Sequence, residues 1–309
     1  MVAFAPSGRI ARLGEILRQR RVGPTMSLAA QREQFAQDVA RMPVNHGARR
    51  RAVDAGGVPG EWLESDGAGP GAPVVLYFHG GGYLMGSVDT IRPLAANLAV
   101  AAGARVLTIG YRLAPEHPFP AAVDDAVAAW RWLLDGGADP AAVAFAGDSA
   151  GGGLTVAALL AARDHGLPLP AAGACISPWV DLTLSGESYD RNAATDPDVE
   201  RWRLEEMARL YLAGADPRTP LASPVFGDLA GLPPLLIHAG TAELLEDDAV
   251  LLATVARTAG VPVTLELYRD MIHVWHAYAP GLPEGTAGID RIAAWLAERW
   301  AQAAGDRNG

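Results

Sequence analysis

Short, unbroken apolar runs separated by helix-length stretches dominate this chain from residue 74 onward, and they leave few folds open. Runs at 74–78, 105–109, 142–146, 172–176, 234–239 and 263–268 lack the alternation of a half-solvated strand, which marks strands buried on both faces. Helical patterns fill the intervals at about 90–102, 120–135, 150–164, 246–259 and 287–302. Buried strands alternating with helices imply a mostly parallel sheet with helices on both sides. Two more strands are expected near 50–54 and 61–65. Two amphipathic helices precede them, 8–20 (Ile10, Leu13, Ile16, Leu17) and 27–42 (Leu28, Phe35, Val39, Met42), the second behind the N-cap candidate Ser27. One interval breaks the rhythm. About 55 residues separate the strands near 176 and 234, more than a crossover helix requires. This insertion, 180–230, carries its own helix from Glu200 to Leu212 and reads as a lid-like cap packed with the N-terminal helices. The expected organisation is therefore residues 1–45 as N-terminal cap helices and 46–303 as one α/β domain bearing the insertion. The tail after Trp300 is expected to fray.

Composition narrows the chemistry. Half of the 309 residues are apolar and 19% are charged, enough for a large core. The 25 basic and 35 acidic residues give a net charge of −10, which argues against nucleic acid or an anionic membrane as partner. All 25 basic residues are arginine. Without lysine there can be no Schiff base, pyridoxal-phosphate attachment or Walker-type phosphate binding. A lone cysteine, Cys175, excludes an internal disulfide and a CxxC zinc site. Arginines interrupt the first 24 residues, so no signal peptide is read there, and no run reaches the roughly 18 apolar residues of a membrane span. A cytoplasmic location is the resulting expectation.

Gly147-Asp148-Ser149-Ala150-Gly151 sits where the strand 142–146 meets the helix 150–164. A tight strand-to-helix turn needs small residues beside a serine, and it presents that serine at a helix N-terminus whose dipole favours negative charge. Taken alone the string is weak, and a serine N-cap on a glycine-rich turn would explain it as well. Its position at this junction favours a nucleophile. A second element, His79-Gly80-Gly81-Gly82, follows the strand 74–78. Adjacent glycines let backbone N–H groups face a cavity, as stabilisation of a tetrahedral oxyanion requires.

A serine hydroxyl needs a base. Of seven histidines, His46 and His165 lie in polar segments, His79 belongs to the glycine loop, His117 to a proline-rich turn, and His238 to an apolar strand. His273 and His276 remain, both after the last strand, at the ligand-facing end of a doubly wound sheet. Their spacing suggests no third metal ligand, so zinc is not expected. The base needs an anionic partner. Glu243 lies nearest the end of strand 234–239. Glu246, Asp247 and Asp248 look like the acidic first turn of the next helix. The order nucleophile, acid, base (149, 243, 273) is the one an α/β-hydrolase uses.

Longer stretches carry a specific resemblance. FHGGGYLMGS (78–87), YRLAPEHPFPAAVDDA (111–126), GDSAGGGL (147–154), SPWVDL (177–182) and MIHVWH (271–276) resemble the hormone-sensitive-lipase-like esterases of the α/β-hydrolase fold, also called bacterial family IV, near its acetyl-hydrolase and monoterpene lactone hydrolase members. The resemblance implies Ser149 as nucleophile, His273 as base, and the N–H groups of Gly81, Gly82 and Ala150 as oxyanion hole. Its usual acid is an aspartate in a D-P-L segment. Here that slot reads Glu243-Leu244-Leu245, so Glu243 is the first choice and Asp247 the second. Gly110 and Val274-Trp275 also depart from the family pattern. The resemblance further implies a helical cap over the acyl pocket, a small-molecule ester as substrate, and no metal or organic cofactor.

The function expected is hydrolysis of short-chain carboxylic esters through an acyl-enzyme. Amide (N-acetyl) or lactone hydrolysis on the same triad is the alternative, and a non-catalytic small-ligand receptor the remote one. Arg112, Glu116 and Asp124 are expected to form a polar cluster bracing the glycine loop, Trp179 or Trp202 to line the acyl pocket, Cys175 to be a small buried hydrophobe, and Arg49–Arg51 to flank a strand at the surface. An exposed final strand would allow an edge-paired homodimer.

Overall fold

The computed structural model describes residues 7–42 and 44–306. Residues 1–6, 43 and 307–309, which include the start of the N-terminal cap range and the end of the tail, lie outside the described residues. Two helices, α1 (Gly8–Gln19) and α2 (Leu28–Ala40), come first. Strands and helices then follow as β1 (Ala48–Asp54), β2 (Pro59–Ser65), β3 (Val74–Phe78), α3 (Val88–Ala102), β4 (Arg105–Ile109), α4 (Ala121–Asp135), β5 (Val143–Asp148), α5 (Ala150–Asp164) and β6 (Ala172–Ile176). After β6 come α6 (Ser188–Arg191), α7 (Arg201–Leu212), β7 (Leu235–Gly240), α8 (Glu246–Thr258), β8 (Val263–Tyr268) and α9 (Pro283–Asp306).

The eight strands form one sheet in the order β1-β2-β4-β3-β5-β6-β7-β8. Strands β1, β2 and β4 pair antiparallel, and all later pairs are parallel. Every residue of β3, β5, β6 and β7 is buried, which accounts for their continuous apolar runs. The pleat sends Leu76, Phe78 and Phe145 to one core and Val75, Tyr77 and Ala144 to the other. Residues of α4, α5 and α8 join the first core, and those of α3 and α9 the second. Ser27 caps α2 by accepting the N–H of Ala30. Ser87 and Thr90 cap α3 reciprocally, a capping box.

The 180–230 insertion is not a lobe standing off the sheet. Val180, Leu182 and Tyr189, then Leu204, Met207 and Tyr211 of α7, are buried in the same core as β3, β5 and α5. Helix α1 turns Ile10, Leu13 and Leu17 toward Met271, Ile272 and Trp275. Ile16, expected on that face, points to solvent at 39% exposure, because it falls a residue out of phase with the buried stripe. Helix α9 continues to Asp306, so the fraying expected after Trp300 is not found there. Trp295, Leu296 and Trp300 bury one face of that helix against the second core. Arg49–Arg51 lie within β1 and reach Asp66, Glu61 and Glu64. Cys175 is buried in β6.

Candidate active site

The turn from β5 to α5 sets Ser149 at φ 54°, ψ −122°, a backbone conformation that a non-glycine residue adopts only under constraint. The constraint is close approach. A Cβ at Gly147 would lie 2.2 Å from the carbonyl oxygen of Gly151, and one at Gly151 would lie 2.0 Å from that of Phe78. The Ser149 N–H donates to Ile176 O, and its carbonyl accepts from Gly153 and Trp179. The elbow is thus locked between β6 and α5.

The glycine loop after β3 is braced from the same strand. Asp148 Oδ1 accepts from the Gly80 N–H at 3.1 Å and the Tyr77 hydroxyl at 3.0 Å. A Cβ at Gly80 would meet Asp148 Oδ2 at 2.3 Å. Burial raises the Asp148 carboxyl to about 6, against the hydrogen bond from Tyr77 and the charge of His273. His79 Nδ1 donates to Gly80 O at 2.7 Å, and its ring stacks on Tyr111 with centroids 4.1 Å apart. Burial lowers His79 to about 4, so the ring serves the loop as a neutral donor. Gly81 and Gly82 have φ of 113° and 63°. Among the described residues their N–H groups have no protein acceptor. Ala150 opens α5 with its N–H at the helix N-terminus.

His273 follows β8. Its Nδ1 lies 2.6 Å from Oε2 of Glu243, which is wholly buried in the loop after β7. Glu243 Oε1 accepts from the Gly240 N–H at 2.6 Å and the Ser177 hydroxyl at 3.0 Å, and the Ser177 oxygen accepts from the Val274 N–H. Burial would lower the His273 imidazole, but the hydrogen bond and charge of Glu243, with the charges of Asp196 and Asp198, raise it to about 9. Asp247 is elsewhere. It accepts from the Ser188 N–H and pairs with Arg191. His276 turns away from His273 and stands buried against His238, Nε2 to Nδ1 at 3.1 Å.

Ser149, His273, Gly81 and Gly82 border one cavity of about 180 Å³. Its apolar wall comes from Phe35, Val39 and Met42 of the N-terminal segment, Met85 after the glycine loop, and Leu204 and Met207 of α7. Neither Trp179 nor Trp202 borders it. Trp179 is wholly buried near Tyr83, because the SPW turn passes behind the elbow rather than over it. The polar cluster also differs from expectation. Arg112 grips Asp125 with two nitrogens, while Glu116 pairs with Arg32 of α2. Asp124 is exposed, since the face of α4 toward Arg112 carries residue 125. Arg32 also donates to the carbonyls of Leu84 and Ala114, fastening α2 to the end of the glycine loop.

Three residues of the site gave no chemical signal in the sequence. Ser177 joins the loops of Glu243 and His273. Asp196, wholly buried in the insertion, accepts from the Leu244 N–H at 2.8 Å. Asn192 donates to Glu243 O. The position of Ser177, directly after a buried strand, was its only cue. Among the described residues, no group of three or more His, Cys, Asp or Glu could hold a metal ion. No helix among them is long and apolar enough to cross a membrane.

A parallel sheet with a strained serine between β5 and α5, a glycine loop after β3 and a histidine after β8 defines the α/β-hydrolase class, and the model of that fold family matches residues 75–277. The chain belongs to this family, in its hormone-sensitive-lipase-like esterase branch. It is 52% identical over 244 residues to an acetyl-hydrolase of Streptomyces hygroscopicus, covering 79% of this chain and 81% of that one. A carboxylesterase of Mycobacterium tuberculosis is 37% identical over 235 residues, 72% of this chain and 73% of its own. Among solved structures, an esterase of the bacterial hormone-sensitive lipase family superposes with a TM-score of 0.91 at 47% identity, covering 96% of this chain and all of that one.

Proposed function

We propose that the protein is a serine hydrolase that cleaves short-chain carboxylic esters through an acyl-enzyme. One observation carries the reading: a strained serine, a histidine held by a buried glutamate, and two glycines whose N–H groups are unengaged among the described residues border a single cavity. In this reading His273 takes the proton of Ser149 as its oxygen attacks the ester carbonyl. The N–H groups of Gly81, Gly82 and Ala150 hold the oxyanion, each worth about 2.7–4 kcal/mol. His273 then protonates the leaving alcohol and activates the water that releases the acid. Glu243 keeps Nδ1 protonated and steadies the imidazolium. Residues 7–42 and the insertion act as the cap that shapes the acyl pocket.

The cavity volume supports a short acyl group, since engineered cavities of about 150 Å³ hold one benzene. Hydrolysis of an N-acetyl amide or a lactone is the second reading, supported by the 52% identity to a named acetyl-hydrolase. Ser149→Ala tests the first. It should abolish turnover of p-nitrophenyl acetate and butyrate and labelling by a fluorophosphonate; retention of most activity would refute the assignment. Rates across an acyl-chain ladder, a lactone and an N-acetyl amide separate the two readings.

A further inference from the structure

Arginine is the only strong cation in this chain, and nearly every arginine that leaves water finds an acid. Arg32, Arg92, Arg112 and Arg291 each make a direct hydrogen bond to a carboxylate. Arg203 does not. It lies on α7 at the wall of the cavity that Ser149 and His273 border. Its Nε is buried without a hydrogen-bond partner, and its Nη2 rests on the Met85 sulfur at 3.6 Å. Asp198, Glu200 and Glu206 influence it only through space, and burial outweighs them, lowering its pKa. No carboxylate oxygen lies within 4 Å of its guanidinium among the described residues. A guanidinium partly withdrawn from water, with its Nε buried and no anion beside it, carries a desolvation cost that an entering anion relieves.

Its place relative to the reacting centre follows from the helix. Arg203 and Met207 are four residues apart and share one face. Met207 abuts Gly82, where an added Cβ would meet its sulfur at 2.2 Å. Arg203 thus stands one helical turn from the residue that abuts the glycine loop, with its Nη2 on Met85 just beyond that loop and its side chain on the same cavity as Ser149. We propose that Arg203 is a specificity-determining residue, and that the preferred ester carries a carboxylate a few bonds from the carbonyl that is cleaved. Asp198, which also borders the cavity, sets a limit on this site. Its negative charge disfavours multiply charged anions more than a single carboxylate.

This inference rests on the serine-hydrolase reading. The test measures kcat/KM for the mono-p-nitrophenyl ester of glutaric acid (carboxylate on the acyl side), 4-acetoxybenzoate (carboxylate on the alcohol side), and their neutral counterparts, p-nitrophenyl butyrate and phenyl acetate. In Arg203→Met the ratio of charged to neutral substrate should fall roughly tenfold or more for one pair. The pair affected tells which side of the ester faces Arg203. Arg203→Lys should restore part of that ratio. Glutarate should inhibit the unmodified enzyme competitively at concentrations where glutaramide does not, a readout independent of how the variants fold. Unchanged ratios for both pairs, or equal inhibition by glutarate and glutaramide, would overturn the assignment while leaving the hydrolase intact. No turnover of any of the four esters would remove the hydrolase reading and this inference with it.

Discussion

Glu243 holds His273 by a 2.6 Å contact and is itself held by the Gly240 N–H and the Ser177 hydroxyl. The extra methylene relative to aspartate is absorbed in the loop after β7, where the carboxylate is enclosed on every side. Fixing both of its oxygens leaves the imidazole one tautomer, with Nδ1 protonated and Nε2 free to serve as base.

That arrangement predicts a large asymmetry between two acids four residues apart. If the proposed mechanism holds, Glu243→Gln should lower kcat by about 10³–10⁴, as breaking the acid–histidine pair does in serine hydrolases. Asp247→Asn should keep activity within about tenfold, because its partners are Ser188 and Arg191 rather than the base. Steady-state rates of both variants on p-nitrophenyl butyrate check this, and a greater loss in the second would reassign the acid.

The free base should titrate at alkaline pH. In the proposed mechanism only neutral His273 can accept the Ser149 proton, and its imidazole is raised to about 9. The acid limb of kcat/KM should therefore be half-maximal near pH 9, not near 6.5. Linkage has the corresponding sign: a raised histidine contributes stability that is complete below its unfolded value and lost as pH climbs through about 9. A rate profile already flat at pH 7 would contradict this account.

Asp248 offers a separate pH test away from the chemistry. It accepts from the N–H groups of Val180 and Asp181 and from the Tyr189 hydroxyl, and burial raises it to about 7. A carboxyl raised on folding favours the folded state below its unfolded value, and that contribution fades as pH rises from about 4 through about 7. Asp248→Asn should then gain in melting temperature relative to the parent at pH 8 compared with pH 5. Thermal unfolding at the two pH values decides it; an equal difference at both would mean that the carboxyl does not titrate there.

Gly147→Ala should lower stability by about 1–3 kcal/mol, or several degrees in melting temperature. The new methyl would meet the backbone carbonyls of Gly151 and Phe78 at 2.2 and 2.7 Å, and backbone cannot swing aside as a side chain can. Calorimetry of the variant measures this. An unchanged transition would mean that the elbow has slack.

The sheet was legible because strands such as 105–109, 172–176 and 263–268 are apolar runs closed by turns, and helices such as 150–164 begin at punctuated junctions. Glu243, Ser149 and His273 were legible as residues lying just beyond strand ends. What the sequence hid was helix phase and long-range pairing. Nothing local decides that Asp125 rather than Asp124 meets Arg112, or that Glu116 finds Arg32 across 84 positions. The apolar wall of the cavity was hidden for the same reason. It is assembled from α2, the glycine loop and α7, while Trp179 went to the core and Trp202 stays half-buried outside the cavity. His276 was indistinguishable from His273 by position alone, and burial beside His238 separates them.

Asn192, Thr195 and Asp196 all reach from the insertion to the backbone at Ala242–Leu244. An outward swing of that segment would break the very bonds that seat the acid. That segment runs on directly into Asp198 and Val199 at the cavity wall, so a substitution there would reach the imidazole through the backbone that carries Glu243.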